Sequence, residues 1–280
     1  MIGGEEIAAA LDHAAAADLL EAALQAGIDP ESEPPRAELP FGTGSLLVMP
    51  AVSGGHATVK LVTVGGEPRV QGLAVAFDAA SLAPVALLDG AALTAVRTAA
   101  VSLLAARLLA RGPVRRIVVF GRGVQGRAHA AAFRKGLEAE QVLTVGSETD
   151  ADEAAEAVRS ADVVCCATTA RTPVFDGANV SETAVVIAIG AHAPDARELD
   201  SELIHRSAVV VESRRTALAE AGDLVMAGTA SDQVVTLSEL VRGATLRDEG
   251  PRVFKSTGMS WEDAVLVDAL LALEPRQAER

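Results

Sequence analysis

Apolar residues fall in two rhythms along this chain. Over residues 5–26 they recur every three to four positions, the spacing of one helix face. The rhythm then shortens into runs at 45–50 (SLLVMP), 57–64 (ATVKLVTV), 69–78 (RVQGLAVAFD) and 83–89 (APVALLD). Glycine pairs at 54–55 and 65–66 mark turns, and strands joined so tightly pair antiparallel. A long Ala/Leu-rich helix is predicted over 94–111. Beyond it the texture alternates: strand 115–120 (RRIVVF), glycine turn 121–126, a helix ending at Gly136, strand 141–145 and an acidic helix 150–160. Strands at 161–169 and 183–191, a helix at 197–206 and a strand at 207–213 continue the series. Such alternation predicts a parallel, doubly wound sheet. The segment 260–274 reads as an amphipathic helix capped by Ser260 that packs back on the first sheet. The predicted class is therefore α/β, with a doubly wound domain over 112–255. A smaller, discontinuous α/β domain over 1–111 and 256–280 carries a mixed, mostly antiparallel sheet.

Composition narrows the partners. Half of the 280 residues are hydrophobic, enough for two cores, yet there are six Phe, one Trp and no Tyr. So few aromatics argue against a stacking surface for single strands. A net charge of −14 argues against duplex DNA and anionic membrane. The N-terminus lacks a basic leader, and no run of about 18 uninterrupted apolar residues suggests a span. Cys165 and Cys166 are neighbours on a predicted strand and point to opposite faces, so no disulfide is expected and a reducing cytoplasm fits. The five histidines show no metal-binding spacing, and no metal site is expected.

Two features carry chemistry. Gly121, Gly123 and Gly126 follow an apolar strand and open a helix, the context in which GxGxxG binds a dinucleotide pyrophosphate. The doubly wound domain is accordingly predicted to be Rossmann-type. The next strand ends Val145-Gly146-Ser147-Glu148, without a clean acid for a ribose 2′-hydroxyl. Arg122 lies inside the turn where it can meet a 2′-phosphate, which favours NADP over NAD. The second feature is Arg97, at the mouth of the predicted 94–111 helix with almost nothing polar behind it. A guanidinium there needs an anion, either a protein carboxylate or a substrate.

The segments PPRAELP (34–40), LVMPA (47–51), VKLVTV (59–64), LDGAALTAVRTAA (88–100), VVFGRGVQG (118–126), IAIGAHAPDARELD (187–200) and VFKSTGMSWEDA (253–264) resemble, in order, the ornithine cyclodeaminase/μ-crystallin family of nicotinamide-dependent enzymes. The resemblance implies a substrate and dimerisation domain beside the Rossmann domain, and hence a homodimer. It places Arg36, Lys60 and Arg97 at the substrate carboxylate and reacting carbon, with Thr257 beside them. Val124 and Gln125 fall on the pyrophosphate, with Thr98 and Ser147 also on the cofactor. Thr168, Ile187, Ala188, Ile189, Gly190 and Ser256 fall around the nicotinamide half. Cyclodeaminases of the family carry an Asp at the position of His192. A histidine can transfer a proton there but supplies no fixed negative charge to an iminium. The resemblance, with Lys60 and His192 as catalytic candidates, thus points to reduction of Δ1-pyrroline-2-carboxylate or Δ1-piperideine-2-carboxylate. Ornithine cyclodeamination, amino-acid dehydrogenation and a non-catalytic, nucleotide-binding μ-crystallin-like role are the alternatives.

Overall fold

The computed structural model describes residues 1–273. It opens with α1 (Gly4–Ala10), α2 (His13–Gln25), β1 (Ala37–Phe41), β2 (Gly44–Ser53), β3 (His56–Val64), β4 (Val70–Asp78), β5 (Pro84–Asp89) and α3 (Gly90–Leu109). Then follow β6 (Arg116–Phe120), α4 (Val124–Gly136), β7 (Gln141–Val145), α5 (Ala151–Ser160), β8 (Val163–Cys166), β9 (Val185–Ala188), α6 (Ser201–Arg206) and β10 (Ala208–Val211). The remainder is α7 (Arg214–Glu220), α8 (Gly222–Val225), β11 (Val234–Thr236), α9 (Leu237–Val241), β12 (Arg252–Lys255) and α10 (Ser260–Leu273). Contacts divide the chain into one unit of Met1–Arg97 with the segment from Met259 onward, and a second of Thr98–Gly258. The first division falls after Arg97, within the span of α3, rather than at 111/112. Residues 274–280, assigned with the first domain, and the predicted helix end at Glu274 lie outside the described residues.

The first unit is a five-stranded antiparallel meander, β1 to β5 in order, with one isolated parallel bridge between Ile2 and Leu88. Alternation sends Leu47, Met49 and Ala51 of β2 and Val62, Lys60 and Thr58 of β3 to a buried face, joined by Ala74, Ala76 and Leu88. Lys60 sits in register between Met49 and Ala74. α10 packs on β2, β3 and α2. It is not amphipathic as predicted: every residue from Ser260 to Val267 is buried. The predicted 5–26 helix is two helices, because the Asp12 carboxylate accepts the Ala15 amide at 2.8 Å and starts α2 afresh. β1 was not foreseen; it is an exposed edge strand, where Pro40 costs no ladder bond.

The second unit holds a seven-stranded, all-parallel sheet in the order β11-β10-β12-β9-β8-β6-β7. β6 pairs with β7 on one side and β8 on the other, so the strand order reverses beside the glycine turn. β11 and β12 escaped the sequence pattern, being too short to show a period. β12 pairs between β9 and β10. The strands predicted over 161–169 and 183–191 are shorter at both ends, and residues 167–169 and 189–191 are loops at the sheet's C-terminal edge. α3 begins four residues before its predicted start because Asp89 Oδ1 accepts the Ala91 and Ala92 amides, each at 2.9 Å. Arg97 is thereby inside the helix, not at its mouth. Among the described residues α3 is the one helix long and apolar enough to cross a membrane by length and composition, and most of it is buried inside the protein.

Candidate active site

The first unit concentrates charge at the start of α10. Lys60 Nζ lies 2.7 Å from Asp263 Oδ2, and Arg97 donates from Nη1 to Glu262 Oε2 at 2.6 Å. Arg97 Nε approaches Asp263 Oδ1 at 3.6 Å, so both cations converge on one acid. All four side chains are buried. Arg97 therefore has the protein carboxylate that its position demanded, and that carboxylate belongs to its own unit.

Burial disfavours the Lys60 ammonium, and the Arg97 charge repels it. Asp263 and Glu262 pull the other way and lose, leaving its pKa at about 8. Glu33 completes the group. It accepts the Ser260 hydroxyl at 3.2 Å and the backbone amides of Trp261 and Ser260. Ser260 is thus the first helical residue and a donor, and the capping carboxylate is Glu33. Desolvation, helped by nearby Asp263, raises the Glu33 pKa to about 7 against those hydrogen bonds. Arg36 follows three residues later, half-buried ahead of β1.

In the second unit the glycine turn has the form a dinucleotide requires. Gly121 adopts φ +108°, and a methyl group there would strike the Ala167 carbonyl oxygen. One at Gly126 would strike the Gly121 carbonyl oxygen, so these two glycines permit tight packing. Gly123, the N-cap of α4, faces open space, with nothing within 4 Å of a built Cβ. The helix N-terminus is accessible to a pyrophosphate there, and the turn fits the group. Val124 is exposed at the first helical position, while the Gln125 carbonyl accepts His129 Nδ1 at 2.8 Å. Arg122 and Glu148, the two rivals for the ribose, form an exposed ion pair with each other, and Arg122 Nη2 also reaches the Thr144 carbonyl at 3.3 Å. Ser147 is exposed beside them.

The other assigned residues divide by burial. Thr168, Ile189 and Gly190 are partly exposed on the loops leaving β8 and β9. Ile187 and Ala188 are fully buried within β9, and Thr98, Ser256 and Thr257 are buried too. His192 is exposed, its Nδ1 3.3 Å from the Gly190 carbonyl. Sequence reasoning quoted Glu262, Asp263 and Glu198 inside matching segments without assigning them a role. Glu262 and Asp263 read as ordinary first-turn acids of a helix, so their signal in the sequence was weak. Glu33 gave none. No group of three metal-binding side chains occurs among the described residues.

Comparisons with known proteins agree with one another. The model of the ornithine cyclodeaminase/mu-crystallin family matches residues 3–154 and 138–271. The chain is 35% identical over 246 residues to ketimine reductase mu-crystallin of Mus musculus, covering 79% of this chain and 78% of that one. It is 33% identical over 270 residues to the Δ1-pyrroline-2-carboxylate/Δ1-piperideine-2-carboxylate reductase of Azospirillum brasilense, covering 88% and 86%. Its fold superimposes with a TM-score of 0.88 on Thermococcus litoralis Δ1-pyrroline-2-carboxylate reductase in complex with NADH and L-proline, at 26% identity and 97% and 96% coverage.

Proposed function

The chain belongs to the ornithine cyclodeaminase/mu-crystallin family, and from that premise we propose that it reduces small cyclic imino acids with a nicotinamide cofactor. The substrates are Δ1-pyrroline-2-carboxylate and Δ1-piperideine-2-carboxylate, and the products proline and pipecolate. The convergence of Lys60 and Arg97 on Asp263 is the observation that carries this reading. Glu262 holds Nη1 of Arg97 and Asp263 faces its Nε, and the guanidinium so fixed is the cation we assign to a substrate carboxylate. Arg36 assists it. Lys60, with a pKa of about 8, gives up a proton near neutrality.

The Gly121–Gly126 turn, with Thr168, Gly190 and Ser256, holds the dinucleotide. When bound, that cofactor supplies the hydride that adds to the imine carbon. Lys60 delivers the proton to the imine nitrogen, so the C=N bond becomes CH–NH. His192 offers an imidazole where cyclodeamination would use a fixed carboxylate, which favours reduction. Of the two cofactors we assign NADPH, Arg122 being the cation at the end of β6 that a 2′-phosphate can recruit from Glu148.

The outer face of the first sheet supports pairing with a second copy. Val52, Leu61, Leu73 and Leu87 lie on the face opposite α10 and are exposed. The functional test is turnover of each imino acid against ornithine by the purified protein. Reduction gives cofactor oxidation and proline or pipecolate in equal amounts. Ammonia release from ornithine without net cofactor change would replace reduction with cyclodeamination.

A further inference from the structure

Beneath the C-terminal edge of the parallel sheet lie Glu198, Glu212, Asp223 and Lys255, all buried, none of them used by the reaction above. Glu198 joins two loops. Its Oε1 accepts the Thr168 amide and the Thr168 hydroxyl, each at 2.8 Å, and its Oε2 accepts the Gly190 amide at 2.7 Å. Both oxygens act purely as acceptors, as an ionised carboxylate does. The loops so joined leave β8 and β9, neighbours in the sheet. They approach closely enough that a methyl group at Gly190 would strike the Thr168 carbonyl oxygen.

Glu198 is itself fixed. Its own amide and that of Leu199 donate to Asp223 Oδ1, both at 2.8 Å, and Asp223 Oδ2 lies 2.9 Å from Lys255 Nζ. A doubly wound sheet binds a dinucleotide across its C-terminal edge where the strand order reverses, one nucleotide on each side. With the glycine turn between β6 and α4, the β6–β7 side takes the adenosine half and the β8–β9 side the other. We propose that Glu198 is a positioning residue for the nicotinamide half of the cofactor: it holds the Thr168 and Gly190 loops in their receiving geometry without touching the ligand. The inference rests on the nicotinamide-cofactor reading above. A carboxylate is required because a glutamine in its place turns an amide NH2 toward groups that are themselves donors.

The test compares ligands with and without nicotinamide. Fluorescence or calorimetric titration measures NADPH against 2′-phospho-ADP-ribose, and NADH against ADP-ribose, in the wild type and Glu198→Gln. The expected result is about tenfold or greater weakening of the nicotinamide-bearing member of each pair, with the truncated member within about twofold of wild type. A purely structural role would weaken both members together, and parallel loss or no loss overturns the proposal. If Glu198→Gln does not fold, Glu198→Asp keeps the charge but shortens its reach to the two loops. The same split, smaller in size, is then expected, and parallel loss or no loss again overturns the proposal. A wild type that binds none of the four ligands would overturn the cofactor reading itself, and this inference with it.

Discussion

A buried lysine beside an arginine is tolerable only where carboxylates meet both. Asp263 meets Lys60 and Glu262 meets Arg97. Asp263 is also what keeps the Lys60 pKa as high as about 8 against burial and the Arg97 charge. Asp263→Asn should therefore lower that pKa and move the alkaline limb of the rate–pH profile to lower pH. It should also destabilise the fold by roughly 3–5 kcal/mol, the cost of leaving a buried ion without its partner. Rate–pH profiles and chemical denaturation check the two effects, and an alkaline limb that stays in place would remove Lys60 from the proton transfer. Glu33 carries a prediction of the opposite kind. Its folded pKa of about 7 lies above the usual carboxylate value of about 4.5, so in that window the folded state binds more protons than the unfolded. Stability is full below about 4.5 and falls as pH rises through 7. Solvent screening of a half-buried group limits the loss to about 1–2 kcal/mol. In Glu33→Gln that decline should vanish, as denaturation across this pH range will show. Arg97 was legible because its type clashed with its neighbours. Glu33 was not, because its role arises from contact with Ser260, 227 positions away.

Elements were readable where their own residues enforce them. The β6 strand, the glycine turn and α4 announce themselves through an apolar run and three spaced glycines, and they formed where predicted. The glycines also separate fold from binding. Gly126→Ala forces a methyl group into backbone and should lower the melting temperature markedly, whereas Gly123→Ala meets open space and should melt like the wild type while weakening dinucleotide binding. Thermal denaturation with cofactor titration distinguishes them; equal destabilisation by both would remove Gly123 from the phosphate site. β12 shows the limit of local pattern. Arg252–Lys255 is a strand because β9 and β10 flank it, and pairing to segments so distant leaves no period in four residues. The break between α1 and α2 was hidden differently: the apolar spacing continues across Asp12, and only the cap it makes with Ala15 shows the restart.

The alternation of strands and helices was sufficient to predict two sheets of different kind, since parallel pairing needs long crossovers and antiparallel pairing needs only turns. The proposed pairing with a second copy uses the outer face of the first sheet, where Leu61 and Leu73 are paired neighbours, 38% and 41% exposed. Light scattering should give the mass of a dimer at micromolar concentration, and the double variant Leu61→Lys/Leu73→Lys that of a monomer; a monomeric wild type would leave the face without a partner. Cofactor choice belongs to the whole enzyme in turnover. Glu148→Gln should raise the ratio of kcat/KM for NADPH over NADH by releasing Arg122, and Arg122→Ala should lower it. A wild type that prefers NADH would instead make Glu148 the ribose ligand. The central claim is hydride delivery to an imine carbon, and one measurement addresses it directly: incubation of the protein with Δ1-pyrroline-2-carboxylate and cofactor carrying deuterium at the transferable position, followed by mass spectrometry of the product. Proline labelled at its α-carbon, formed in step with cofactor oxidation, is the predicted result, and absence of labelled proline while the cofactor stays reduced would contradict the account.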